Sequence, residues 1–163
     1  MRNLLIVFCL ALLAAGCGFK PRASLAVATE LGPVAVSASD RYSPLARDLA
    51  AALTRAGAEP AVEGAPASTL KLLRERRTSR PLTYERGAGV REYEVSYEVE
   101  FELRAADGSV RVPRQRVELS RDYTYDARGA IGSPAEERLL DEELRRDMVA
   151  AVMRRLDAAL RAD

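Results

Sequence analysis

The sequence has no histidine and no tryptophan, two cysteines, and two lysines, Lys20 and Lys71, in a chain whose positive charge is otherwise arginine. Each scarcity excludes something. Without histidine there is no imidazole metal ligand and no Ser-His or Cys-His nucleophile. Cys9 lies inside an apolar leader, so a mature chain carries Cys17 alone and forms no internal disulfide, even in an oxidising compartment. The formal net charge is +1 and falls to zero once Arg2 leaves with the leader. The basic excess that would release counterions from nucleic acid is missing, and no nucleic-acid partner is expected. The apolar run at the N-terminus, Leu4 to Ala15, is shorter than the ~20 residues that span a bilayer.

That run has the length of a signal-peptide core and follows a single charge, Arg2. It ends in Leu13-Ala14-Ala15-Gly16-Cys17, small residues before a cysteine, which is similar to the lipobox of bacterial lipoproteins. The expected organisation is a signal peptide over 1–16, a lipidated tether over 17–33 and one domain over 34–163. Acyl chains on Cys17 would anchor the chain without a transmembrane helix, because two or more chains hold stably where one holds only marginally. Gly18, rather than an aspartate, follows the cysteine; in bacterial lipoproteins that permits passage to the outer membrane. About 145 mature residues suit a single domain with a real core.

The patterning predicts the elements. Val34 to Ser37 reads as a short strand. Ser43-Pro44 opens a helix, serine capping the free N–H groups and proline suiting the first helical position. Leu45, Ala46, Leu49, Leu53 and Ala56 form its apolar stripe, and Gly57 ends it. Ala58 to Ala67 reads as a loop and Thr69 to Tyr84 as a long strand. From Arg91 to Arg104 the apolar Tyr93, Val95, Tyr97, Val99, Phe101 and Leu103 alternate with glutamates and Ser96, a strand with one buried face and one wet face. Val110 to Asp126 continues after Asp107-Gly108, with its apolar residues again at odd numbers. Paired positions must then sum to an even number, so a three- or five-residue loop is expected, with Arg114 and Arg116 set against the glutamates. Ser133-Pro134-Ala135-Glu136 is a capping box that opens a helix of about 29 residues. Its apolar residues fall in two stripes, Leu140, Leu144 and Met148, then Val149, Val152, Met153, Leu156 and Leu160. Either the helix crosses a twisted sheet obliquely or its last half meets another surface. The fold class expected is α/β, an α+β two-layer sandwich: a four-stranded mixed sheet with two helices on one face, in the order β-α-β-β-β-α. The first crossover makes the first two strands parallel.

Nothing in the chain reads as catalytic, and neither a cofactor nor a metal is expected. Ser68-Thr-Leu-Lys71 matches S-x-x-K, but that motif works at a helix start, and here it enters a strand, where positions three apart face opposite ways. The glutamates of the alternating strand read as a solvated face rather than a glycosidase pair. The basic cluster is the candidate binding feature: Arg74, Arg76, Arg77, Arg80, Arg86 and Arg91 lie in or beside the second long element and its turn. Planar guanidinium forks suit phosphate.

From Cys17 to about Ala162 the chain resembles the LptE family, the lipopolysaccharide-assembly lipoproteins of the outer membrane. The likeness rests on Cys17-Gly18-Phe19-Lys20-Pro21, Asp40-Arg41-Tyr42-Ser43-Pro44-Leu45, Glu92-Tyr93, and Arg121-Asp122-Tyr123-Thr124-Tyr125-Asp126 followed by Glu136-Glu137. The resemblance implies two helices on a four-stranded sheet, a place as a plug inside the β-barrel protein LptD, help in assembling that barrel, and binding of lipopolysaccharide. It implies a lipid anchor at Cys17 on the periplasmic side of the outer membrane. It also implies a lipopolysaccharide contact at Arg86, with Arg80, Arg91 and Arg77 as neighbouring candidates. The family's second basic position is Ser133-Pro134 here. An accessory subunit of another envelope lipid transporter is the alternative, separable by whether a large β-barrel co-purifies.

Overall fold

The computed structural model describes residues 31–84, 90–126 and 133–162. In chain order the elements are β1 (Pro33–Ala38), α1 (Pro44–Arg55), β2 (Glu59–Pro60), β3 (Ser68–Tyr84), β4 (Val90–Arg104), β5 (Val110–Asp126) and α2 (Ser133–Leu160). The sheet runs β2-β1-β3-β4-β5. β1 is parallel to β2 and to β3, and β3, β4 and β5 form an antiparallel meander. The sheet is therefore five-stranded, not four-stranded, and the order is β-α-β-β-β-β-α. The additional strand lies within the segment read from sequence as a loop. Glu59 and Pro60 pair with Pro33 and Val34, and Ala61 N–H donates to the Val34 carbonyl at 3.2 Å. Two exposed residues carry no alternation, so no periodic signal announces such a strand.

Local chemistry accounts for the other elements. Ser43 caps α1: its hydroxyl accepts from the Ala46 N–H at 3.2 Å, and Pro44 takes the first turn. Leu45, Leu49 and Leu53 are buried at the helical spacing. The β4–β5 connection is Ala105 to Ser109, five residues, closed by Ala105 N–H to the Ser109 carbonyl at 2.8 Å, with Gly108 at φ +84°. A side chain at that φ would be strained, which is why glycine follows Asp107. The even-sum register holds from Val90 opposite Asp126 to Phe101 opposite Gln115, with Val99 facing Val117 and Glu100 facing Arg116; it then shifts on either side of Leu103, which faces Val112.

β3 carries a bulge that decides which residues face the helices. The register shifts between Leu72 and Arg74. Before it, Leu70 and Leu72 are buried opposite Leu103 and Phe101; after it, Glu75 and Arg77 stand opposite Val99 and Tyr97 on that same face. One extra residue has exchanged even for odd positions, as a bulge does.

The core forms one cluster between the sheet and both helices, with Phe101, Leu45, Leu49, Leu70, Leu103, Leu144, Met148 and Leu156 among its fully buried side chains. It begins before Val34, since Leu31 is buried and its carbonyl accepts from Ser68 Oγ at 2.9 Å. Both stripes of α2 lie inside it: Leu144, Met148, Val152, Met153, Leu156 and Leu160 are buried, and Leu140 and Val149 pack at its edge. Steps of four residues advance about 40° round a helix. A stripe built from them rotates along α2, which packs on β5 and on α1. Among the described residues no helix is long and apolar enough to cross a membrane.

Candidate functional site

Four arginines and Cys17 are the site residues expected from sequence. Cys17 and Arg86 lie outside the described residues. The backbone of Arg91 is in β4, paired with Tyr84 on one side and Tyr125 on the other. Arg77 and Arg80 are both in β3 but do not share a face, because they are three apart in a strand. Arg77 is on the helix-bearing side, where Asp141 of α2 accepts from its guanidinium and Glu137 lies 3.9 Å away. Arg80 is on the helix-free side and donates to Glu94 of β4. That bond raises the Arg80 pKa further, so this side chain is a fixed cation. A single head group held by Arg77 and Arg80 together is excluded by this geometry.

Arg77 belongs to a polar seam at the mouth of the core. Glu75, two residues earlier on the same face, accepts from Ser43 Oγ at 2.8 Å and from Tyr97 Oη at 2.5 Å. Its carboxylate thus joins the cap of α1 to the centre of β4. Burial, and then the bond to Glu75, push the Tyr97 phenol well above its ordinary range. Arg145 of α2 donates to Asp48 of α1 at 2.8 Å, tying the two helices together across the seam. Pro44, Glu75, Arg77, Tyr97, Asp141, Leu144 and Arg145 line a cleft of about 300 Å³ here. Its cations and carboxylates largely neutralise one another, so the seam reads as structural. Sequence reasoning missed Glu75 and Tyr97 as a pair; the available signal was a lone glutamate among the arginines of β3. The S-x-x-K serine is equally structural, being buried and bonded to Leu31, while Lys71 is exposed.

The helix-free face has a different character. Arg114 bonds Glu100, and Arg116 bonds Glu98 at 2.8 Å and Glu118 at 3.0 Å. The Arg114–Glu100 and Arg116–Glu98 pairs cross from β5 to β4, as expected from the alternation, while the Arg116–Glu118 pair lies within β5. Exposed pairs of this kind contribute little each, at most about 1 kcal/mol. Their consequence is a sheet face covered by charge with, among the described residues, no apolar layer above it. Among the described residues no group of three or more cysteine or carboxylate side chains is placed to hold a metal ion.

The comparisons with known proteins agree with this architecture. The LptE family model, described as lipopolysaccharide-assembly, matches residues 31–156. The LPS-assembly lipoprotein LptE of Photorhabdus laumondii is 27% identical over 146 residues, covering 89% of this chain and 79% of that protein. Two solved structures share the fold. Lipoprotein B of Nitrosomonas europaea aligns with a TM-score of 0.70 at 23% identity, over 86% of this chain and 91% of its own. The rare lipoprotein B of Shewanella oneidensis aligns with a TM-score of 0.66 at 24% identity, over 78% and 95%. The family model extends from the first buried residue of the core, Leu31, to Leu156 in the last helix, and this chain belongs to the LptE family.

Proposed function

We propose that this protein is an outer-membrane lipoprotein that assembles with and plugs a β-barrel of the LptD kind and binds lipopolysaccharide during delivery to the cell surface. The observation that carries the reading is the family match over 31–156, which takes in the whole sheet, α1 and α2 as far as Leu156. Three features support it. Cys17 closes a lipobox-like segment, and acyl chains there hold the chain to the periplasmic side of the outer membrane. The helix-free face, with its rows of paired charges, suits the polar interior of a large barrel. Arg86 stands at the family's basic position beside Gly87 and Gly89, between the ends of β3 and β4. No catalytic residue and no cofactor enter this reading.

The lipid-binding half is tested at Arg86. A charge-assisted bond to phosphate contributes ~1.5–3 kcal/mol when shielded, and less when wet. Arg86→Asp should weaken lipopolysaccharide binding about tenfold at low salt, with an unchanged thermal melt. Binding should also weaken as salt rises. Equal affinities for wild type and variant would remove Arg86 from the lipid contact.

A further inference from the structure

The registers arrange the helix-free face in rows that cross three strands. Arg74, Glu100 and Arg116 make one row, Arg76, Glu98 and Glu118 the next, then Thr78, Ser96 and Ser120, then Arg80, Glu94 and Asp122. The third row is different in kind: three hydroxyls and no charge, set between charged rows. Neighbouring strands are about 4.8 Å apart, so this hydroxyl row spans about 10 Å.

The hydrogen-bonding state of these groups is uneven. Arg116 engages both Glu98 and Glu118, and Arg114 engages Glu100. Arg76 faces Glu98 in the register but does not pair with it. Among the described residues Arg74 and Arg76 have no ion pair, and the hydroxyls of Thr78, Ser96 and Ser120 have no side-chain partner. Arg76, Thr78, Ser96, Glu98 and Glu118 line a depression of about 200 Å³. Its two carboxylates are held by Arg116, which leaves a guanidinium fork and two hydroxyls directed at whatever occupies it.

We propose that this depression binds a phosphorylated sugar. Arg76 takes the phosphate through its planar fork. Thr78 and Ser96 in the depression, and Ser120 next to Ser96 in the same row, each both donor and acceptor, match the hydroxyls of the sugar. The inference rests on the lipopolysaccharide reading above and names a second contact, on the face away from the helices, for the phosphorylated sugar part of that ligand. It is distinct from Arg77, which is on the other face, and from Arg80, which Glu94 already holds.

The test is titration of the full chain, purified in detergent, with lipopolysaccharide before and after phosphatase treatment. Arg76→Glu should weaken binding of the intact lipid about tenfold, and the pair Thr78→Val with Ser96→Val about threefold. Phosphatase-treated lipid should bind wild type and Arg76→Glu alike. Arg76→Gln, which adds no negative charge beside Glu98, replaces Arg76→Glu if the latter melts earlier than wild type. Glucose 1-phosphate should compete with the lipid better than inorganic phosphate does. Equal affinity of wild type and both Arg76 variants for intact lipid overturns the site while leaving lipid binding in place. Absence of binding by wild type overturns the lipopolysaccharide reading itself. Inorganic phosphate competing as well as the sugar phosphate makes this a plain anion site and overturns the sugar assignment.

Discussion

Tyr97 shows what a single side chain does in this fold. It is buried in the core to its ring and ends in a hydroxyl that donates to Glu75, the carboxylate that also holds the cap of α1. Tyr97→Phe leaves Glu75 one donor short and should cost about 1–2 kcal/mol at neutral pH, read as a lowered midpoint in urea. The phenol also sets a pH dependence. Its pKa in the folded protein is raised above the ordinary 10.0 by burial and by Glu75. The neutral form is therefore the one the fold favours; its contribution is complete below pH 10.0 and is lost as pH climbs above that value toward the folded pKa. The melting temperature of wild type should fall more steeply above that pH than that of Tyr97→Phe; parallel alkaline profiles would remove the phenol from this role. At the other end of the chain, Cys17 is expected to be the acylated N-terminus. Mass spectrometry of the mature protein should show a blocked, acylated cysteine, and Cys17→Ser should release the protein from the membrane. Unchanged retention of that variant would remove the anchor from the account.

At the scale of elements, legibility followed periodicity. β4 alternates without a break, so its extent and its inward face were readable from Tyr93 to Leu103, and the even parity of its pairing with β5 holds from Val90 to Phe101 before the register shifts at Leu103. Parity left a three- or five-residue loop open, and the connection has five residues after the register shifts around Leu103. β3 was readable as a strand, but its faces were not. The bulge at Leu73 exchanges inward and outward positions, and neither the run of arginines nor Pro81 marks where it falls. For that reason the arginine cluster looked convergent in sequence, whereas Arg77 and Arg80 are divided between the two faces. β2 had no pattern to read, since two exposed residues bury nothing. The two stripes of α2 left open whether its last half met a partner, and the buried Val152, Leu156 and Leu160 answer that it packs within this chain. Leu156→Ala should accordingly destabilise the isolated protein by about 2–5 kcal/mol. A midpoint within 0.5 kcal/mol of wild type (roughly the spread of a neutral surface change) would mean that this half of the helix needs a partner to bury it.

For the whole molecule, the two faces of the sheet divide the labour. One carries both helices and the single apolar core, sealed at its mouth by Glu75, Arg77, Asp48, Arg145 and Asp141. The other carries rows of charge and one row of hydroxyls and, among the described residues, no apolar cover. The first supplies the stability of the fold, and the second a surface compatible with a polar enclosure. The proposed lipid anchor, the charged face and the family assignment meet in the proposal that the chain works inside a β-barrel. The most direct measurement is purification of the full, lipidated chain from detergent-solubilised outer membranes, with its partners identified by mass and stoichiometry. The account predicts a stable one-to-one complex with a large β-barrel protein of the LptD kind. Recovery of the chain from that membrane without a barrel, under conditions that keep other outer-membrane complexes intact, would contradict it and favour an accessory subunit of another envelope lipid transporter.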